Sequence, residues 1–162
     1  MTAAEAELEA ALRLDPRVPG AYFLKGQILE SQDRLEEAAQ AYREELSAFP
    51  KSLAVALALS RLEGHRGRPA EQEQVLRDAI RANPNSPGPY RVLASIFLQR
   101  QERYAEAVEL AELALRQNPK GQELHMAYIL LADLHYRIGD SERAAEYARL
   151  AEQLAASGGG KR

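Results

Sequence analysis

PYRVLASIFLQRQERYAEAVELAELALRQNP, residues 89–119, carries the pattern that decides the fold. Tyr90, Leu93, Ala94 and Phe97 recur at spacings of three and one, which places them on one face of a helix. Ala107, Ala111 and Ala114 follow at four and three with small side chains, and small side chains let a neighbouring helix approach closely. The stretch ends at Asn118-Pro119, because a proline pushes the residue before it out of the α region. The unit is therefore two amphipathic helices closed by a proline.

The unit recurs along the chain. Pro16, Pro50, Pro84 and Pro119 lie 34, 34 and 35 residues apart. Ala38, Tyr42 and Glu45 stand before Pro50 as Gln72, Leu76 and Ala79 stand before Pro84, and as Ala4, Leu8 and Ala11 stand before Pro16. Tyr22, Gly26 and Leu29 open the first pair; Ala56, Leu59, Ser60 and Glu63 fill the same frame in the second, and Tyr128, Leu131, Ala132 and His135 in the fourth. A small residue (Gly26, Ser60, Ala94 or Ala132) takes the crowded contact between paired helices each time. Asp33-Arg34, Gly67-Arg68 and Gly139-Asp140 fall between the helices of a pair, where a left-handed residue ends the first one. One extra residue is expected in the third turn, near Gln99–Arg103, and three at the start of the fourth repeat, around Lys120–Leu124. A period near 34 residues indicates stacked helical hairpins, whose stability comes from neighbour interfaces.

Composition narrows the class. With 21 Lys+Arg against 24 Asp+Glu the net charge is −3, which gives no footprint for general nucleic-acid binding. The absence of cysteine excludes disulfides and thiolate metal sites. Residues 1–15 hold four acidic groups and no secretory signal, and no apolar run approaches the ~18 residues of a membrane helix. The cytoplasm is the default compartment, and a cysteine-free chain suits the periplasm equally.

Catalytic chemistry finds no constellation. His65, His125 and His135 never pair at zinc-binding spacing, and His135 falls on a packing position. Gly158-Gly-Gly-Lys161 shares glycines and a lysine with a phosphate loop, but Arg162 follows and no helix does. Glu36-Glu37 and Glu44-Glu45 read as solvated helix faces. No catalytic residue, cofactor or metal is expected, and the chain reads as no enzyme.

The repeat resembles the tetratricopeptide repeat, over about residues 2–156. That resemblance implies an all-α, right-handed superhelical solenoid of antiparallel helix pairs, built from a half repeat (2–18), full repeats at 19–52, 53–86, 87–121 and 122–156, and a flexible tail, 157–162. The sequence departs from the family pattern at Lys25, where Leu is usual, at Glu45 and Gln72, where Ala is usual, and at Glu63, where an aromatic is usual. The resemblance implies a protein–protein interaction module whose first (A) helices line a concave groove for a peptide or partner domain. Carried over to this chain, the groove takes Phe23 and Gln27 from the first repeat, Leu57 and Arg61 from the second, Arg91 and Ser95 from the third, and Ile129, Asp133 and Tyr136 from the fourth. The Lys/Asn clamp by which some members hold a C-terminal carboxylate is absent, since Phe23, Gln27, Ala58, Arg91 and Ser95 stand at its positions.

Charge is uneven along the chain. Residues 51–104 carry 5 acids and 9 bases, whereas residues 1–50 carry 10 acids and 5 bases. Arg61 and Arg91 are therefore candidates to receive an acidic or C-terminal group of a partner, with Phe23, Leu57 and Ile129 contacting its apolar side chains. The opposing expectation is that these arginines pair with nearby Glu63 or other surface acids, and that Phe23, Leu57 and Ile129 pack against neighbouring helices. The chain opens in mid-repeat, which leads to the expectation of a piece of a longer array or of a larger enzyme or assembly; the alternative makes the half repeat an N-terminal cap. Weak self-association through end helices bearing Leu150 and Leu154 is a further expectation. Neither nucleic acid nor membrane is expected as a partner.

Overall fold

A computed structural model describes residues 3–15 and 17–158, with backbone alone at residues 3–6, 11 and 158. The side-chain roles expected for Ala4 and Ala11, the break at Pro16 and the last four residues of the tail lie outside the described residues. All the regular structure among the described residues is α-helical: α1 (Ala3–Leu14), α2 (Ala21–Ser31), α3 (Leu35–Ala48), α4 (Leu53–His65), α5 (Pro69–Ala82), α6 (Pro87–Arg100), α7 (Tyr104–Arg116), α8 (Gln122–Arg137) and α9 (Ser141–Gly158). Contacts divide the chain into two compact units, Met1–Pro84 and Asn85–Arg162.

In the first unit α2 pairs with α3 and α4 with α5, while α3 packs on α4 and α1 on α2. Its core gathers Leu29, Ala38, Ala39, Tyr42, Val55, Leu59 and Leu62. Tyr42 is fully buried, and a Cβ on Gly26 would run into its ring. The small residue at this contact is thus a steric requirement. Gly64 serves the neighbouring pair in the same way, because a Cβ there would meet the Gln72 amide. That vacancy admits Gln72 where a smaller residue was expected.

In the second unit α6 pairs with α7 and α8 with α9, and α8 packs on both α7 and α6. Leu93, Ala94, Phe97, Ala107, Ala111, Ala114, Leu131 and Leu134 are buried. His135 is buried too, its ring stacked on Tyr147 at 5.5 Å. It occupies the packing position expected for it.

All four turns within pairs use one backbone device. Asp33, Gly67, Gln101 and Gly139 have positive φ. The N–H of the residue after each reaches back five positions: Arg34 to Leu29 O, Arg68 to Glu63 O, Glu102 to Phe97 O and Asp140 to His135 O, at 2.9–3.1 Å. This is the Schellman closure, which satisfies the carbonyls left open at a helix end. The extra residue of the third turn falls just after this device, where Arg103 also has positive φ (48°) before α7 begins. The three extra residues of the fourth repeat lengthen α8 at its start: the helix begins three residues after Pro119, as α6 does after Pro84, but Tyr128 is its seventh residue where Tyr90 is the fourth of α6. At the far end α9 is helical to Gly158, two residues into the expected tail.

Candidate partner-binding faces

Each unit presents a face built by its A helices. In the first unit Phe23, Gln27 and Glu30 follow one another at helical spacing on α2, and Leu57 and Arg61 do so on α4. Phe23 is half-buried; its ring centroid lies 5.7 Å from that of Tyr42, and it packs on the core cluster. Leu57 is half-buried and Gln27 exposed. Phe23 therefore belongs largely to the core.

Arg61 is not free. Its guanidinium meets Glu30 through both terminal nitrogens, Nη1–Oε1 at 2.7 Å and Nη2–Oε2 at 3.0 Å. The Tyr42 hydroxyl donates to the same Glu30 Oε2 at 3.0 Å. Burial works to raise the Glu30 pKa, but the hydrogen bonds from Arg61 and Tyr42 and the charges of Arg61 and His65 outweigh it, and the carboxyl sits below its usual range. Burial, then the hydrogen bond to Glu30, push the Tyr42 phenol well above its ordinary value.

Arg66, Arg68, Arg100 and Arg103 of the basic middle segment also find acids. Glu63, fully buried, is held by Arg43 from α3 and by Arg66, whose Nη1 lies 3.0 Å from Oε2. Arg66 also donates to Glu36 at 2.9 Å, and Arg68 approaches that carboxylate at 3.7 Å. Glu63 thus replaces an aromatic packing residue with an ionic cluster joining α3 to α4. Arg100 and Arg103 pair with Glu102, and Arg103 lies over the Phe97 ring, 3.8 Å from its centroid. Glu45, the other acidic departure, is buried and accepts the Gly20 N–H at 2.7 Å, holding the N-terminus of α2 against α3.

In the second unit the face is more apolar. Along α8, Met126, Ile129 and Tyr136 are exposed, Ile129 at 50% and Tyr136 at 70%. Asp133 lies between them and reaches Arg137 at 3.4 Å. On α6, which contacts α8, Arg91 and Ser95 are half-buried. Phe23, Leu57 and Ile129 share a repeat position but not an environment, since only Ile129 is open to solvent. Arg61 and Arg91 belong to different units.

One concavity escaped sequence reasoning. A cleft of about 410 Å³ runs between α3 and α5, floored by Ala56 and Leu59 of α4 and walled by Leu46, Val75, Ala79 and Asp78. Its side chains come from three helices, and no spacing within one repeat announces it. Among the described residues, no group of three or more His, Cys, Asp or Glu could hold a metal ion, and no helix is long and apolar enough to cross a membrane.

Helix pairs of this length, closed in this way and stacked through small residues, define a helical-repeat protein of the solenoid class. The tetratricopeptide repeat model matches residues 2–52 and 98–159, more than half of the chain. The chain belongs to the tetratricopeptide repeat family. It is 24% identical over 131 residues to the protein CTR9 homolog of Arabidopsis thaliana, a match covering 81% of this chain but 12% of that protein's length. Its fold is similar to BtubC from P. vanneervenii, with a TM-score of 0.77, 18% identity, and 98% of this chain and 74% of that one covered. It is similar also to PilF of Pseudomonas aeruginosa, with a TM-score of 0.69, 24% identity, and coverage of 93% and 67%. These structures establish the all-α, tetratricopeptide-type solenoid fold.

Proposed function

We propose that this protein is a non-enzymatic interaction module that holds an extended segment of a partner protein on its A-helix faces. The observation that carries the reading is the row of Met126, Ile129 and Tyr136 exposed along α8, with Arg91 and Ser95 on α6 of the same unit. Apolar side chains held open on a rigid helix favour a covered role, and an exposed tyrosine gives an anchor that is apolar along its ring and polar at its tip. Phe23 and Leu57 contribute less, because much of their surface is already buried. Protein is favoured over nucleic acid as the partner, since the arginines at positions 61, 66, 68, 100 and 103 are each paired with an acid.

The test is quantitative capture from host lysate with the wild type beside Ile129→Ala/Tyr136→Ala, followed by affinity measurement on the purified partner. Both substituted side chains are at least half exposed, so circular dichroism of the variant should match the wild type. Loss of the partner supports the reading; equal affinity overturns it.

A second reading, a helical module serving a larger assembly, is supported by the length of the CTR9 homolog relative to the matched segment. Native-size chromatography of the host extract tests it. Elution at the mass of this chain alone would count against it.

A further inference from the structure

We infer that Glu30 acts as an internal ligand of Arg61, closing the A-helix face of the first unit to anionic groups and leaving it selective for an uncharged, hydrogen-bonding stretch of chain. The inference rests on the interaction-module reading and names what one of its faces selects.

Arg61 is the guanidinium on this face, with its side chain 63% exposed. By itself it would be a receptor for a carboxylate or phosphate, which the planar guanidinium meets through two nitrogens at once. In this structure Glu30 already occupies that fork with both of its oxygens. The occupant is held in place. Its side chain is only 20% exposed, and the Tyr42 hydroxyl donates to it. Tyr42 is in turn immobilised, with its edge against Gly26 and its ring beside Phe23.

An incoming anion must therefore displace a carboxylate that is already positioned. Doing so leaves the negative Glu30, still held by the Tyr42 hydroxyl, beside the new negative group. Such an arrangement discriminates by repulsion as well as by attraction. A neutral segment meets no such exchange. Gln27, exposed one turn before Glu30, offers an amide donor and acceptor, and Leu57 offers apolar contact.

The test follows the arginine Nε–Hε resonances of ¹⁵N-labelled protein during titration with inorganic phosphate, for the wild type and Glu30→Gln, with Arg61→Lys identifying the signal. The Arg61 resonance of the wild type should stay still. In Glu30→Gln it should shift progressively as phosphate is added. A wild-type Arg61 signal that shifts as steeply as that of the variant overturns the inference. A wild-type signal that moves under phosphate overturns it by itself, whether or not the variant folds. Partner capture reads α8 in the other unit, so failure there and failure here are separate results.

Discussion

Glu63 and Arg66 form an ion pair closed to solvent: their side chains are 0% and 5% exposed, with Nη1 of Arg66 3.0 Å from Oε2. Arg43 reaches the same carboxylate from α3, and Glu36 holds the far side of Arg66. The cluster replaces apolar packing between two repeats. Arg66→Met takes one of two guanidinium partners from the buried Glu63 carboxylate, leaving Arg43, and should destabilise the protein by about 2 kcal/mol. The double change Glu63→Leu/Arg66→Met should restore stability to within about 1 kcal/mol of the wild type, because a well-packed apolar pair often equals a buried ionic one. Urea unfolding of the two variants checks both values.

Gly26 exists for Tyr42. Gly26→Ala places a methyl group inside the ring's contact distance and should cost about 2 kcal/mol, as overpacking of a dense core does. Tyr42→Leu in the same chain should recover part of the loss, giving a coupling energy of about 1 kcal/mol in a double-mutant cycle. Additive losses would show that the two residues do not meet.

The four Schellman turns are not equally strained. Gly67 and Gly139 take positive φ at little cost, whereas Gln101 takes it with a side chain (φ 56°). Gln101→Gly should raise stability by about 0.5 kcal/mol, since relief of left-handed strain exceeds the entropy glycine loses on folding. Gly139→Ala should lower it by about 1 kcal/mol. Thermal unfolding midpoints moving in opposite directions would bear out both.

Glu30 sets a pH dependence. Burial acts to raise its pKa, but the hydrogen bonds from Arg61 and Tyr42 with the charges of Arg61 and His65 outweigh burial and hold it below the ordinary carboxylate value. A depressed folded-state pKa contributes stability that is present above the unfolded value and lost as pH falls through the folded one. The stability gap between wild type and Glu30→Gln should therefore stay level from neutrality down to about pH 5 and close only below the ordinary glutamate range. Carboxyl ¹³C titration should place Glu30 below exposed glutamates, and Arg61→Ala should move it up. A gap that closes above pH 5 would contradict the geometry of the bridge.

The architecture was legible because its determinants are local. Proline spacing marked the ends of the B helices, Gly67 and Gly139 marked turns, and Gly26, Ser60, Ala94 and Ala132 marked tight contacts. The acidic departures were visible as departures, but their purpose was not. Glu45 reaches Gly20 and Glu63 reaches Arg43, partners that only the stacking of helices brings near. Arg61 could be read from its position either as an anion receptor or as the partner of a surface acid; the structure shows the second, and the acid is Glu30, 31 residues away, which no spacing within one repeat identifies. Phe23, Leu57 and Ile129 were equivalent by register. They differ in exposure because each depends on what its neighbours place beside it, and only Phe23 has Tyr42 within ring contact. The cleft between α3 and α5 left no trace in any single repeat.

The most direct test of the central claim, that the α8 face holds a partner, is quantitative capture comparing the wild type, Ile129→Ala/Tyr136→Ala and a cleft control, Val75→Ala. Proteins retained by the wild type and by the cleft control but lost from the α8 variant are the predicted result. Equal retention by all three, or no protein enriched by the wild type, would contradict it.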